Sequence, residues 1–119
     1  MKRIYHLKTC STNQRILKEL NTDGFELVNI KEQNIDANTL DWLASKVGSY
    51  EGLFSKKATK YKEQGLKDQQ LTEQDFRRLI LEEYTFLKRP FIINDEAVFI
   101  GNAKEEVEKA KQSLNQYKL

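Results

Sequence analysis

Apolar and polar positions alternate with several different periods along this chain, and each change of period marks an element. Residues 2–7 carry Ile4, Tyr5 and Leu7 in a short extended pattern, which predicts a strand. Ile16, Leu17 and Leu20 then recur at helical spacing. Ser11 or Thr12 is the expected cap of that helix, and the stretch from Asn21 to Gly24 ends it. A second strand is expected over Phe25–Ile30, with Phe25, Leu27 and by alternation Asn29 on one face and Val28 and Ile30 on the other. Strand, helix and strand at this length form a βαβ unit, whose strands are parallel and whose crossover is right-handed.

The middle of the chain has no strand pattern between Glu32 and Thr85. Asp36 or Asn38 is placed to cap a helix bearing Leu40, Leu43, Ala44 and Val47, which Gly48 stops. Tyr50, Leu53 and Phe54 make a short apolar turn, and a basic run from Lys56 to Lys62 extends toward Gly65. Thr72 opens a further helix, with Glu73 and Asp75 at its positive end and Phe76, Leu79, Ile80 and Tyr84 as its apolar stripe. Strands return as Phe91-Ile92-Ile93 and Ala97–Ile100 around a turn at Asn94-Asp95-Glu96. Val107, Ala110, Leu114 and Tyr117 share one face of a last helix. Trp42, Tyr50, Phe54, Phe76 and Phe86 fall among the apolar positions and are expected in the core. The order βαβ, helices, ββα reads as a small mixed sheet flanked by helices.

Composition narrows the class. The chain has 119 residues, enough for one domain, with 39% hydrophobic and 32% charged residues. Its 20 basic and 18 acidic residues leave a net charge of +2, too balanced to point to nucleic acid or a membrane surface. No apolar run is long enough to span a bilayer, and the basic start Met1-Lys2-Arg3-Ile4 lacks the apolar region of a signal peptide. A single cysteine allows no internal disulfide, so a cytoplasmic protein is expected. One His and one Cys do not make a zinc set, and no metal is expected. A glycine-rich phosphate loop and a local Ser-His-Asp signature are also missing.

Cys10 is the residue with chemistry to explain. It lies where the first strand pattern gives way to the first helix pattern. A helix N-terminus presents unpaired N–H groups and partial positive charge, which favour the thiolate of a cysteine placed there. A lone cysteine can equally be a small buried hydrophobe.

The segments from Tyr5-His6 to Cys10-Ser11-Thr12, Lys88-Arg89-Pro90-Phe91-Ile92-Ile93 and Val98-Phe99-Ile100-Gly101, in this order and spacing, resemble the arsenate reductase (ArsC)/Spx family. The resemblance covers nearly the whole chain. It implies an α/β, thioredoxin-like fold: a four-stranded mixed sheet, built from about residues 1–35 and 86–119, with a helical insert over about 36–85. It implies a cis bond before Pro90, facing the cysteine; read alone, Pro90 is also an ordinary strand-edge proline. It makes Cys10 the nucleophile, puts His6 at the place of a family histidine that helps hold the thiolate, and matches Arg89 to an arginine that binds the oxyanion. His6 can also be read as a packed strand residue, and Arg89 as half of a surface ion pair.

The departures shape the expected function. Other family arginines fall on Ser55, just before Lys56 and Lys57, and about on Gly101, so only Arg89 is matched and arsenate becomes a weak expectation. The Gly101 variant looks more like the Spx and YffB-type branches. Asn13 stands where a CxxC motif has its second thiol, so Cys10 needs an external thiol such as glutathione as co-substrate, with glutaredoxin or thioredoxin as a possible protein reductant. The N–H groups of Ser11, Thr12 and Asn13 are candidates for an anion, and Arg15, Lys56 and Lys57 for a basic rim, or simply for a solvated charged face. No tightly bound cofactor is expected. The alternative function is an Spx-like regulator that binds the C-terminal domain of the RNA polymerase α subunit, without an internal redox switch.

Overall fold

In the computed structural model, which describes residues 1–115, β1 (Lys2–His6) runs into α1 (Ser11–Glu19) and β2 (Glu26–Asn29). Three helices follow: α2 (Ala37–Val47), α3 (Thr59–Glu63) and α4 (Glu73–Glu82). The chain then forms β3 (Phe91–Asn94), β4 (Ala97–Ile100) and α5 (Lys104–Asn115). It divides into two units, one made of residues 1–33 with the chain from Arg89 onward, the other of Asn34–Lys88.

The first unit holds a four-stranded sheet in the order β2-β1-β3-β4. β1 is parallel to β2 and antiparallel to β3, which is antiparallel to β4. The inner strands are the apolar ones: Ile4, Tyr5, Phe91, Ile92 and Ile93 are all buried, as strands covered on both faces require. Ile4 lies opposite Ile92 in register, and this pair joins Ile16 and Leu20 of the α1 segment and Val107, Ala110 and Leu114 of α5 in one core. Each of the isoleucines, leucines and the valine in this set, fully buried, stabilises the fold by roughly 1.5–3 kcal/mol. The edge strand β2 is shorter than its apolar run. Phe25 precedes it and packs on the core, whereas Leu27 is exposed, so the two do not share a buried face.

In the second unit, Phe54 packs against Phe76 and Phe86, both at 4.9 Å between ring centroids, and against Tyr61 edge-on. An isolated antiparallel bridge, Phe54 to Leu87, ties the middle of the helical stretch to its C-terminal end. Helix ends follow their caps. Asp36 accepts from the Thr39 N–H at 3.0 Å, Gly48 closes α2 at a φ of 106°, and Thr72 with Asp75 forms a reciprocal capping box on α4. Trp42 and Tyr50 are only half-buried, against the expectation of a core role. Lys46 covers the Trp42 ring, and the Tyr50 hydroxyl donates to Asp41, which also accepts from Arg77. The basic run contains a helix, α3, where no element was expected, and Tyr84 sits in a separate 3-10 turn beyond α4. Tyr117 lies outside the described residues.

Candidate active site

The expected cap of α1 is displaced by one residue, and the displacement falls on Cys10. Cys10 itself is the N-cap, with an extended backbone (φ −86°, ψ 116°), and its side chain makes no cap bond. The reason lies in the loop before it. The Cys10 N–H donates to the Leu7 carbonyl at 3.0 Å, which closes a turn, and the Cys10 carbonyl takes the Gln14 N–H at 3.0 Å, which begins the helix. Ser11 and Thr12 are left inside the first turn, Ser11 exposed and Thr12 half-buried. The thiol is half-buried, above a helix whose inner face is fixed in the core through Ile16.

Side chains brace the loop from two elements. Asn13, only 1% exposed, accepts the Leu7 N–H on Oδ1 at 3.0 Å and directs its Nδ2 at Cys10 Sγ, 3.5 Å away. Gln14 donates to the Lys8 carbonyl, and Asn29 at the end of β2 accepts the Lys8 N–H at 3.2 Å. The bracing roles of Gln14 and Asn29 were not anticipated. The only sequence signal for them is a pair of amide side chains at an element's start and another's end.

The sheet register carries Pro90 to the same end. Tyr5 pairs with Phe91, so one step further along each strand brings His6 and Pro90 to the edge where β1 enters the cysteine loop. Pro90 is buried, its bond to Arg89 is cis, and its carbonyl accepts the Gly101 N–H at 2.9 Å. Arg89 is half-buried at this end. Arg15 lies on the exposed side of α1, 3.9 Å from Glu19. Lys56 and Lys57 belong to the other unit, where both are exposed and Lys56 pairs with Glu51 at 2.6 Å. Among the described residues no three or more His, Cys, Asp or Glu side chains gather as metal ligands, and no helix is long and apolar enough to cross a membrane.

His6 has a pH signature. Its Nδ1 is buried with no hydrogen-bond partner among the described residues. Burial first, and then the charge of Lys8, hold its pKa below the ordinary 6.5. Near neutral pH the ring is therefore uncharged, which favours a hydrogen-bonding role over a cationic one. The unfolded chain takes up this proton first as pH falls, so stability drops as pH passes below about 6.5 and the drop ends once folded His6 is protonated. Urea melts of wild type and His6→Gln between about pH 7 and pH 5 are expected to show a smaller acid loss in the variant. Equal losses would contradict this assignment.

A mixed sheet in this order, with a cysteine capping the first helix and a cis-proline entering the third strand, defines a thioredoxin-like protein. The chain belongs to the ArsC family, whose model matches residues 5–110. It is 30% identical over 109 residues to the uncharacterized protein YfgD of Escherichia coli (strain K12), covering 88% of this chain and 92% of YfgD. Among solved structures, an arsenate reductase from Vibrio cholerae superposes with a TM-score of 0.76 at 23% identity, covering 92% of this chain and 96% of its own. A YffB protein reaches 0.77 at 17% identity, covering 93% and 99%. At these identities the two structures speak for the fold.

Proposed function

We propose that the protein is a thiol-dependent reductase in which Cys10 is the nucleophile and works as a single thiol. The observation that carries this reading is the placement of the chain's one cysteine as N-cap of α1, with a buried amide directed at its sulfur where a dithiol protein would have its second cysteine. The Cys10 thiolate attacks a disulfide RS–SR′, forming Cys10–S–S–R and releasing R′S⁻. A low-molecular-weight thiol, glutathione or a similar one, then attacks the mixed disulfide and returns Cys10 to the thiolate. Glutaredoxin or thioredoxin could reduce the disulfide released. The first N–H groups of α1, from Ser11 to Asn13, have no partner within the helix and suit a carboxylate or oxyanion, with Arg89 at the same end of the sheet. Arg15, on the exposed side of α1, supplies further positive charge for a peptide thiol. The regulator reading is weaker, because a chain with one cysteine has no internal disulfide with which to sense oxidants.

A turnover assay separates the substrates. With glutathione and glutaredoxin present, a small glutathione mixed disulfide is expected to be reduced at least about tenfold faster than arsenate, since each charged contact missing from the oxyanion site costs about that factor. Arsenate turnover equal to or faster than disulfide turnover would overturn the substrate assignment. Failure of oxidised glutathione to give any protein adduct, read by intact mass, would overturn the reductase reading.

A further inference from the structure

We infer that Asn13 is the positioning residue of the sulfur chemistry: its side-chain N–H holds Cys10 Sγ as the leaving thiolate when a mixed disulfide is resolved. This rests on the reductase reading of Cys10.

The orientation of the amide is decided by its other bond. A backbone N–H can only be met by an acceptor, so the Leu7 N–H at 3.0 Å fixes which end of Asn13 carries Oδ1. The opposite end, 3.5 Å from Cys10 Sγ, must then be the NH₂ group. Asn13 is 99% buried, so little water competes for that donor. The side chain therefore does two separable things: Oδ1 shapes the loop, and Nδ2 faces the sulfur.

The second of these has a consequence for which sulfur is attacked. In Cys10–S–S–R an incoming thiolate R″S⁻ can attack either sulfur. Attack on the outer sulfur forms R″S–SR, breaks the bond to Cys10, and puts the electron pair on Cys10 Sγ. The external thiol is oxidised and Cys10 is reduced. Exchange is faster when the departing sulfur is the better stabilised thiolate. An N–H already aimed at Sγ gives that advantage to the protein's sulfur, so the outer sulfur is the one attacked. The device stands in for a resolving cysteine: it sends resolution to an external thiol and returns Cys10 free.

Two variants separate the two ends of the amide. Asn13→Asp keeps an oxygen for the Leu7 N–H and puts an acceptor against the sulfur. Asn13→Ser is too short to hold Leu7 but can donate its hydroxyl to Sγ. Each protein is converted to its glutathione adduct, and release of Cys10 by excess external thiol is followed by intact mass, with folding checked by circular dichroism. Release in Asn13→Asp is expected to be roughly tenfold slower than in wild type, and in Asn13→Ser close to wild type, as loss of one hydrogen bond to a charged group predicts. The reverse order, with Asn13→Asp normal and Asn13→Ser slow, would show that only the loop clamp matters and would overturn the inference, as would equal rates in all three. If Asn13→Asp does not fold, Asn13→Ser decides the matter: near wild-type release supports the donor, and release slowed to the rate of an Asn13→Ala control rejects it. Absence of any adduct on wild type would instead reject the underlying reductase reading.

Discussion

Replacing Cys10 by serine is expected to abolish the glutathione adduct and all thiol-dependent turnover without loss of stability. The two effects have different causes. The bonds that place residue 10 are made by its main chain, the N–H to Leu7 and the carbonyl to Gln14, and serine keeps both. The sulfur makes no cap bond, whereas a serine hydroxyl in the same extended backbone can accept an N–H from the first turn of α1. A serine cap contributes about 0.5–2 kcal/mol over a residue that does not cap. Cys10→Ser should therefore be as stable as wild type or more stable, by up to about 1 kcal/mol in urea melts. A variant that is markedly destabilised, or that still forms an adduct, would show that Cys10 is a packing residue.

Installing the missing thiol should change the reaction class. In Asn13→Cys the two cysteines stand at i and i+3 at the start of a helix, and the present side chain of residue 13 already reaches to 3.5 Å from Cys10 Sγ. An i, i+3 pair at a helix start is the spacing of the Cys-X-X-Cys motif. The glutathione adduct on Cys10 is expected to vanish within the mixing time of an assay in which the wild-type adduct persists. Mass spectrometry should find an internal disulfide instead. Reduced Asn13→Cys loses the acceptor for the Leu7 N–H, at a cost of about 1–3 kcal/mol, which closing the short disulfide loop offsets only on oxidation, by up to about 2 kcal/mol. A stable adduct on Asn13→Cys would mean that residue 13 does not reach the sulfur.

The frame of this fold is legible in the sequence because burial and periodicity coincide. Ile4, Ile16, Leu20, Ile92, Val107 and Ala110 all sit at positions that their spacing marks as inward, and they form the core of the sheet unit. Asp36, Gly48 and Thr72 end or begin their helices where their side-chain chemistry predicts. The α1 cap was misplaced for a physical reason. Ser11 and Thr12 are better capping residues than cysteine, but the turn closed by the Leu7 carbonyl starts the helix earlier. Trp42 and Tyr50 depart from a core role because an apolar position on a helix or in a turn does not reveal whether a lysine or a carboxylate waits beside it. At the candidate site, Cys10 and Pro90 could be named from their segments. The role of Asn13 could be read only in part. The missing second thiol was plain, but the amide's two bonds depend on how the loop folds back over the helix.

The bond from Lys8 to Asn29 has a consequence for how the thiol fails. Asn29 ends a strand of only four residues at the border of the sheet, and such borders open more readily than the centre of a fold. When that strand detaches, the Lys8 N–H loses its partner, and the loop keeps only its own turn and the side chains of Asn13 and Gln14. On the reductase reading, Cys10 is therefore expected to lose reactivity under milder conditions than those that unfold the core.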